Sequence, residues 1–380
     1  MTHLTANGPI RITRRVWWRP AAGTVRPLDP WLGIEDATVS AGARELCCWA
    51  ALAGGGFARG AQTLARLGQI RVSDEQLREV TEAEGRQVRD QVRTGAWGPD
   101  WDASACRAAP GEPTRLVVGL DGVMVPVVTA AEKAKRRGNH RRRRKARRRS
   151  LLARRFQGET GPWKEFKIAA FYDGRGKYKY ALGVSGGPDV LGQRVRRTAG
   201  RLKLGEAQEK VSVTDGAPWI RRQLETRLPM LDARILDWYH VVEHVGAAAT
   251  VCFGEGTAEA RGWCEAVSKA LHEEGAPGLL AVIHETLKAT RSPAKREALK
   301  GLQQYVAKRG EMLDYPAFLA AGWDVGSGPT EAFCKTLTSR LKGSGMRWDT
   351  PNAEAIMALA ALWHSNLWKP YWTAQQKAAA

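Results

Sequence analysis

Three carboxylates stand where this sequence could do chemistry: Asp121, Asp215 and Glu331. Asp121 closes the apolar run Leu116–Leu120 and is followed by Gly122. Asp215 closes a second run, through Val211 and Val213, and is followed by Gly216. Glu331 falls in the first turn of a helix opened by GSGPTE, with Pro329 at its start. Carboxylates at the C-terminal ends of neighbouring strands collect at one edge of a sheet, where open α/β folds place ligands. Hard divalent cations take oxygen ligands, one or two carboxylates each plus water and phosphate oxygens. Two such ions about 3.5–4 Å apart can activate a water or a 3′-hydroxyl and stabilise the leaving oxygen of a phosphodiester. The chain has 39 acidic residues, so spacing alone does not separate these three from solvated surface.

A rival motif lies close by. Asp237 closes another short apolar run, Ile235-Leu236, and His240 follows it. His240, Glu243 and His244 spell HxxEH, in which two histidines one helical turn apart could bind zinc with the glutamate as base. That would make the chain a metallopeptidase. The motif needs a third ligand that the sequence does not single out, and it leaves Asp121 and Asp215 unexplained.

Charge points to a polyanionic partner. The chain of 380 residues carries a net charge of +20 and has a pI near 10, the balance of a nucleic-acid binder. Residues 131–150 contribute +11 of it, through Lys133, Lys135, Arg136, Arg137, Arg141, Arg142, Arg143, Arg144, Lys145, Arg147, Arg148 and Arg149 against Glu132. Such a run reads as a solvated cationic loop that meets phosphates without sequence preference. Six cysteines form no CxxC pair, and no secretory leader or bilayer-length apolar run is visible. Reduced thiols in the cytoplasm are the expectation.

The elements that must position the acids follow from the periodicity. Residues 1–40, rich in Pro, Gly and Arg, read as a loosely ordered arm. The span 41–85 reads as three helices, AGARELCCWAALA, a second through Leu64, and a third opened by the capping box Ser73–Gln76 and running to Gly85. This is a helix-turn-helix outline, with a small helical bundle as the alternative. Its would-be recognition helix is acidic (Asp74, Glu75, Glu79, Glu82, Glu84), which suits phosphates poorly. Residues 86–113 read as a linker. Strands through Asp121, at Phe166–Tyr172 and at Lys179–Val184 form a meander, and alternating helices and strands follow to His244, giving a mixed α/β sheet. Residues 245–322 read as all-helical, with helices at Ala258–His272, Leu279–Thr290 and Pro293–Lys308. The helix of Glu331 runs to Gly343, with Lys335 and Lys342 on its polar face. Thr350-Pro351 caps a last, core helix. Trp348 beside Arg347 is a candidate for touching DNA, whereas Trp219 is expected in the core.

VTDGAPWI, then ILDWYHVVEHV, GSGPTEAFCKTLTSRLKGSGMRW and NAEAIMALAALWHSNLWKPYW, in this order, closely resemble the ISKra group of bacterial insertion-sequence transposases, relatives of the Mutator-like elements. The resemblance runs from about Leu116 to the C-terminus and, more loosely, over 41–85. It implies an RNase H-like fold: a core in two parts (114–244, with 131–150 as a basic loop, and 323–380) split by a helical insertion domain (245–322). It implies a DDE triad of Asp121, Asp215 and Glu331 that binds Mg2+, with Mn2+ as a substitute, and a DxxH signature at Asp237 and His240. In that reading Asp121 and Asp215 hold one ion, Asp121 and Glu331 the other, and His240 sits beside them or touches substrate. The activity implied is cleavage at element ends and joining of the 3′-hydroxyls to target DNA. Partners would be double-stranded DNA and further copies of the chain, in the bacterial cytoplasm at the nucleoid. DNA contacts are expected from Arg136, Arg137, Arg141, Arg142, Arg143, Arg144, Lys145, Arg147, Arg148, Lys335, Lys342, Arg347 and Trp348. The alternatives are an RNase H-like nuclease without strand transfer and a DNA-binding protein with no activity. The family pattern assigns no role to 131–150.

Overall fold

Apolar alternation and capping residues account for most elements of the computed structural model, which describes residues 2–20, 23–29, 38–107, 109–128, 132, 163–343 and 346–378. The N-terminal segment departs from the loose arm expected of it. It contains two short antiparallel hairpins, β1 (Thr2–Thr5) with β2 (Gly8–Arg11) and β3 (Trp17–Arg19) with β4 (Gly23–Val25). The first is seated by Leu4, which is buried with Val39, Ala43 and Ile70.

Helix α1 (Ala41–Ala53) starts at Ser40, whose hydroxyl accepts from Ala43 N at 3.2 Å. It packs with α2 (Phe57–Leu67) and α3 (Asp74–Thr94) around Cys47, Ala50, Ala61, Leu64 and Leu77. The Ser73 cap is formed, with Gln76 N donating at 3.0 Å. Helix α3 does not stop at Gly85. A Cβ there would lie 2.5 Å from the Ala355 carbonyl oxygen, so this glycine is a helix-crossing contact, and the helix runs on to Gly95, where φ is +86°. The inner face of α3 is therefore committed to the protein interior. Asp74, Glu75 and Glu79 are exposed, and buried Glu84 accepts from Tyr371 Oη at 2.6 Å.

The sheet is mixed, as the pattern predicts. Strands β5 (Arg115–Pro126), β6 (Trp163–Asp173), β7 (Lys179–Val184), β8 (Glu209–Thr214) and β9 (Ala233–Leu236) lie in the order β7-β6-β5-β8-β9. Pairing is antiparallel across β7-β6-β5 and parallel across β5-β8-β9. Helices α4 (Pro188–Arg201) and α5 (Pro218–Arg227) make the parallel crossovers. Alternate residues of β5 serve two cores. Val117, Val123 and Val125 face one; Leu116, Val118 and Leu120 face the other, with Leu191, Val195 and Ile220 of α4 and α5.

Beyond the sheet come α6 (Trp238–Phe253), α7 (Ala258–Ala289), α8 (Pro293–Ala307) and α9 (Tyr315–Ala320). Helix α7 is two helices meeting at Gly275 (φ +67°), matching the break expected between His272 and Leu279. Their buried residues Leu271, Leu279, Ile283 and Tyr315 share one core with Val213 and Leu236 of the sheet. The chain ends with α10 (Gly328–Ser339), α11 (Thr350–His364) and α12 (Trp368–Ala378). Asp349, not Thr350, caps α11, accepting from Asn352 N at 3.0 Å. Helix α12 follows the helix expected to be last; buried Trp368, Tyr371 and Trp372, at helical spacing, hold it down. No helix among the described residues is long and apolar enough to cross a membrane.

Candidate active site

The two aspartates come from adjacent parallel strands at one level. Strand β8 pairs with β5 as far as Val118↔Ser212, and three residues further on each chain reaches its aspartate. From Val118 on, β5 keeps only β6 as a paired neighbour and runs through Asp121 to Pro126, leaving the β8 side open where the acids lie. Asp215 is held by its own turn: Oδ1 accepts from Ala217 N at 2.8 Å. Gly216 makes that turn at φ +67°, before Pro218 starts α5.

Glu331 reaches the same place on a helix laid over the sheet. Phe333, Cys334 and Leu337 of α10 are buried in the core that Val117 and Val123 face. The approach depends on a glycine. A Cβ on Gly119 would lie 1.8 Å from Thr330 Oγ1 and 2.8 Å from Thr330 Cβ, so only glycine lets the helix sit this low. One turn past Glu331, Cys334 Sγ donates to Asp121 Oδ2 at 3.1 Å, and Gly122 N donates to Oδ1 at 2.6 Å. Burial raises the Asp121 pKa; these two hydrogen bonds oppose the shift, and the charges of Asp215 and Glu331 add to it. Both other carboxylates thus act on Asp121 electrostatically.

They line an open cleft of about 370 Å³ bounded by Leu120, Asp121, Thr214, Asp215, Asp237, Tyr239, His240, Glu243, Ser327, Thr330 and Glu331. Five of these are carboxylates and none is lysine or arginine. In a chain of net charge +20, that is a local concentration of acidic groups. A second hollow, of about 390 Å³, lies at Arg196, Lys203 and Arg227 with Glu206 as its one acid. It offers no comparable set of reactive groups. Among the described residues no three His, Cys, Asp or Glu side chains are arranged to hold a single metal ion. The acids share a cleft rather than a point, so each ion there would draw on one or two carboxylates and complete its shell with water or phosphate oxygens.

Asp237 has a different task. It is 3% exposed, caps α6 by accepting from His240 N at 2.8 Å, and accepts from Ser327 N through its other oxygen. It therefore ties the start of α6 to the loop that delivers α10. The side chain of His240 is partly exposed, with Nδ1 3.7 Å from Glu243 Oε2. His244 does not join it in a ligand pair with a third partner. Its ring lies on Tyr305, with centroids 4.0 Å apart, and burial followed by the charges of His240 and Arg309 lowers its pKa. The zinc-peptidase reading thus gains no third ligand among the described residues.

Two neighbours carry no sequence signature. Arg309, just past α8, lies over the Tyr305 ring at 4.1 Å and donates through Nη2 to Gly216 O at 3.3 Å, bracing the Asp215 turn from the helical segment. Cys334 belongs to no motif in the sequence, and only the packing of α10 reveals its bond to Asp121. Of the residues expected to touch DNA, Lys335 and Lys342 are exposed and Arg347 is partly buried. Helix α10 ends before Lys342, at Ser339 rather than at Gly343. Trp348 corrects its expectation. It is 7% exposed, edge-on to Phe57 with centroids 5.8 Å apart and under the Arg340 guanidinium at 5.2 Å, so it packs the core and is closed to DNA. Trp219 packs against the second core, as expected. Arg136, Arg137, Arg141, Arg142, Arg143, Arg144, Lys145, Arg147 and Arg148 lie outside the described residues.

No protein-family model matches the chain, and no curated protein matches it in sequence, so the ISKra resemblance finds no support in either comparison. Among solved structures it is similar to the Drosophila P element transposase strand transfer complex, at 11% identity and a TM-score of 0.31, over 89% of this chain and 81% of that one. A likeness that distant says nothing of function.

Proposed function

We propose that this protein is a DNA transposase of the DDE type on an RNase H-like fold, with Asp121, Asp215 and Glu331 as its catalytic carboxylates. One observation carries the reading. Asp121 and Asp215 sit level on adjacent parallel strands, a glycine-dependent helix contact brings Glu331 to them, and all three line a cleft without a lysine or arginine. The all-oxygen donor set fits hard divalent cations, Mg2+ first and Mn2+ as a substitute: Asp121 and Asp215 would hold one ion, Asp121 and Glu331 a second. When bound, such ions lower the pKa of a water or 3′-hydroxyl and offset charge on the phosphate oxygens.

The rest is the work of the chain. Cys334 and Gly122 orient the Asp121 carboxylate, Ala217 N orients that of Asp215, and Arg309 keeps the Asp215 turn from swinging away. Asp237 fixes the distance between α6 and α10 without entering the chemistry. His240, at the cleft rim, is placed to meet a substrate oxygen. The basic run at 131–150, with exposed Lys335 and Lys342, would supply phosphate contacts, which position DNA without specifying sequence. The helical segment 245–322 and the N-terminal helices would serve as insertion and DNA-binding domains. Joining two element ends calls for more than one copy of the chain.

The test is to incubate the protein with Mg2+, a duplex carrying the DNA that flanks its coding sequence, and a circular target. Cleavage at the ends followed by joining to the circle is the expected result. Cleavage without joining would favour a nuclease without strand transfer. Neither, from protein that binds the duplex, would refute the assignment.

A further inference from the structure

The two most exposed tryptophans of the described residues lie outside the cleft, on the small hairpin of β3 and β4. Trp17 is 57% and Trp18 71% exposed, beside Val16 at 55%. Large apolar side chains so placed are out of keeping with the rest of the chain, whose other tryptophans largely pack against the cores or one another. Strand alternation sends Trp17 and Arg19 to one face of the hairpin and Trp18 to the other. Arg15, Arg19 and Arg26, in the hairpin or within two residues of it in sequence, are exposed. Residues 2–29 hold five arginines and a single acid, Asp29. That acid is 2% exposed and engaged by Arg14 at 2.9 Å, a pair that joins the chain entering the hairpin to the chain leaving it and does not neutralise its surface.

We propose that the β3–β4 hairpin is a docking surface for unpaired DNA, with Trp17 and Trp18 stacking on bases and Arg15, Arg19 and Arg26 meeting the adjoining phosphates. Charge selects the class of partner, because an acidic polymer complements a segment whose one carboxylate is already engaged. The indoles select the strand state. Bases within a duplex are closed to an indole face, whereas an unpaired base offers its whole π surface, and stacking on it is tolerant of sequence. The proposal rests on the DNA-processing reading, since strand breakage at an element end is what would present such bases. It extends that reading to a part of the chain remote from the acids in sequence.

The experiment uses the full chain and two labelled probes, a blunt duplex and the same duplex with a single-stranded extension, titrated by fluorescence anisotropy across a salt series. The wild type should prefer the extended probe. Trp17→Ala/Trp18→Ala should lose about 10-fold or more on the extended probe and little on the blunt one. Arg15→Ser/Arg19→Ser/Arg26→Ser should lower the log–log salt slope by roughly 2–3. All five side chains are exposed, so unchanged melting temperatures check that each variant is folded. Equal affinities and slopes in variants and wild type would overturn the proposal while leaving the catalytic reading in place. So would a tryptophan variant that binds both probes normally but changes mass by light scattering, which would make the hairpin an interface between copies. A wild type that binds neither probe would overturn both readings.

Discussion

Replacing Gly119 by alanine should disable the site without touching any acid. The added Cβ would fall 1.8 Å from Thr330 Oγ1, 2.8 Å from its Cβ and 3.0 Å from its Cγ2. Rotating χ1 cannot clear the Cβ contact, and a β-branched residue in a helix has few rotamers to offer. The first turn of α10 must therefore lift off the sheet by about an ångström, and Glu331 is the next residue. Displacements of that size cost on the order of 100-fold in rate, or about 2.7 kcal/mol of barrier. Overpacking costs about 1–3 kcal/mol of stability, a few degrees in Tm for a chain of this size. The assay is single-turnover cleavage of an end duplex, with anisotropy reporting DNA affinity and calorimetry reporting Tm. Cleavage should fall about 100-fold with affinity unchanged. Thr330→Ala, which removes two of the three atoms that the new Cβ would meet, should partly restore cleavage in the double variant. Wild-type cleavage by Gly119→Ala would show that the close seat of α10 does not set the position of Glu331, and the site geometry would lose its main support.

Other consequences follow from the same contacts. Arg309→Ala frees the Gly216 carbonyl and should slow cleavage by roughly 10-fold at unchanged DNA affinity; Arg309→Lys, lacking the planar guanidinium that both lies on Tyr305 and reaches Gly216, should not restore it. Asp121→Asn should raise Tm in cation-free buffer, because burial and the charges of Asp215 and Glu331 disfavour its ionised form. By the same logic Mg2+ should raise Tm in the wild type and do so less in the variant, so equal shifts in calorimetry would contradict a shared cation site. Trp348→Ala should cost about 3–5 kcal/mol in denaturant melts, as for a core aromatic, and leave the DNA affinity of the folded fraction unchanged.

The order of strands was legible because β5 to β9 are apolar runs bounded by glycine, proline or aspartate, and their sequence spacing distinguishes a meander from crossovers. The helical stretch was legible for the same reason, down to the break at Gly275, since Gly275 and Pro277 interrupt a long helical pattern. Contacts between distant segments were not. Gly85 looks like a helix stop in the sequence, and only the carbonyl of Ala355 against it shows why the helix continues. The N-terminal hairpins were missed because strands of three or four residues leave almost no periodicity to read. Trp348 was misread because its neighbour Arg347 suggested a basic surface, whereas Phe57 and Arg340, remote in sequence or on another element, enclose it. Of the site, the acids could be named from strand ends and a helix start. The groups that hold them, Gly119, Cys334 and Arg309, have no motif because their roles exist only in packing.

If Asp215 acts with Asp121 and Glu331 in phosphoryl transfer on DNA, its charge is indispensable. Asp215→Asn keeps the shape of the side chain and its acceptor for Ala217 N while removing the charge, so cleavage of an end duplex by this variant, beside a binding titration on the same duplex, is the most direct measurement. Cleavage should be lost, with binding intact or tighter. Cleavage at the wild-type rate by Asp215→Asn would contradict that role.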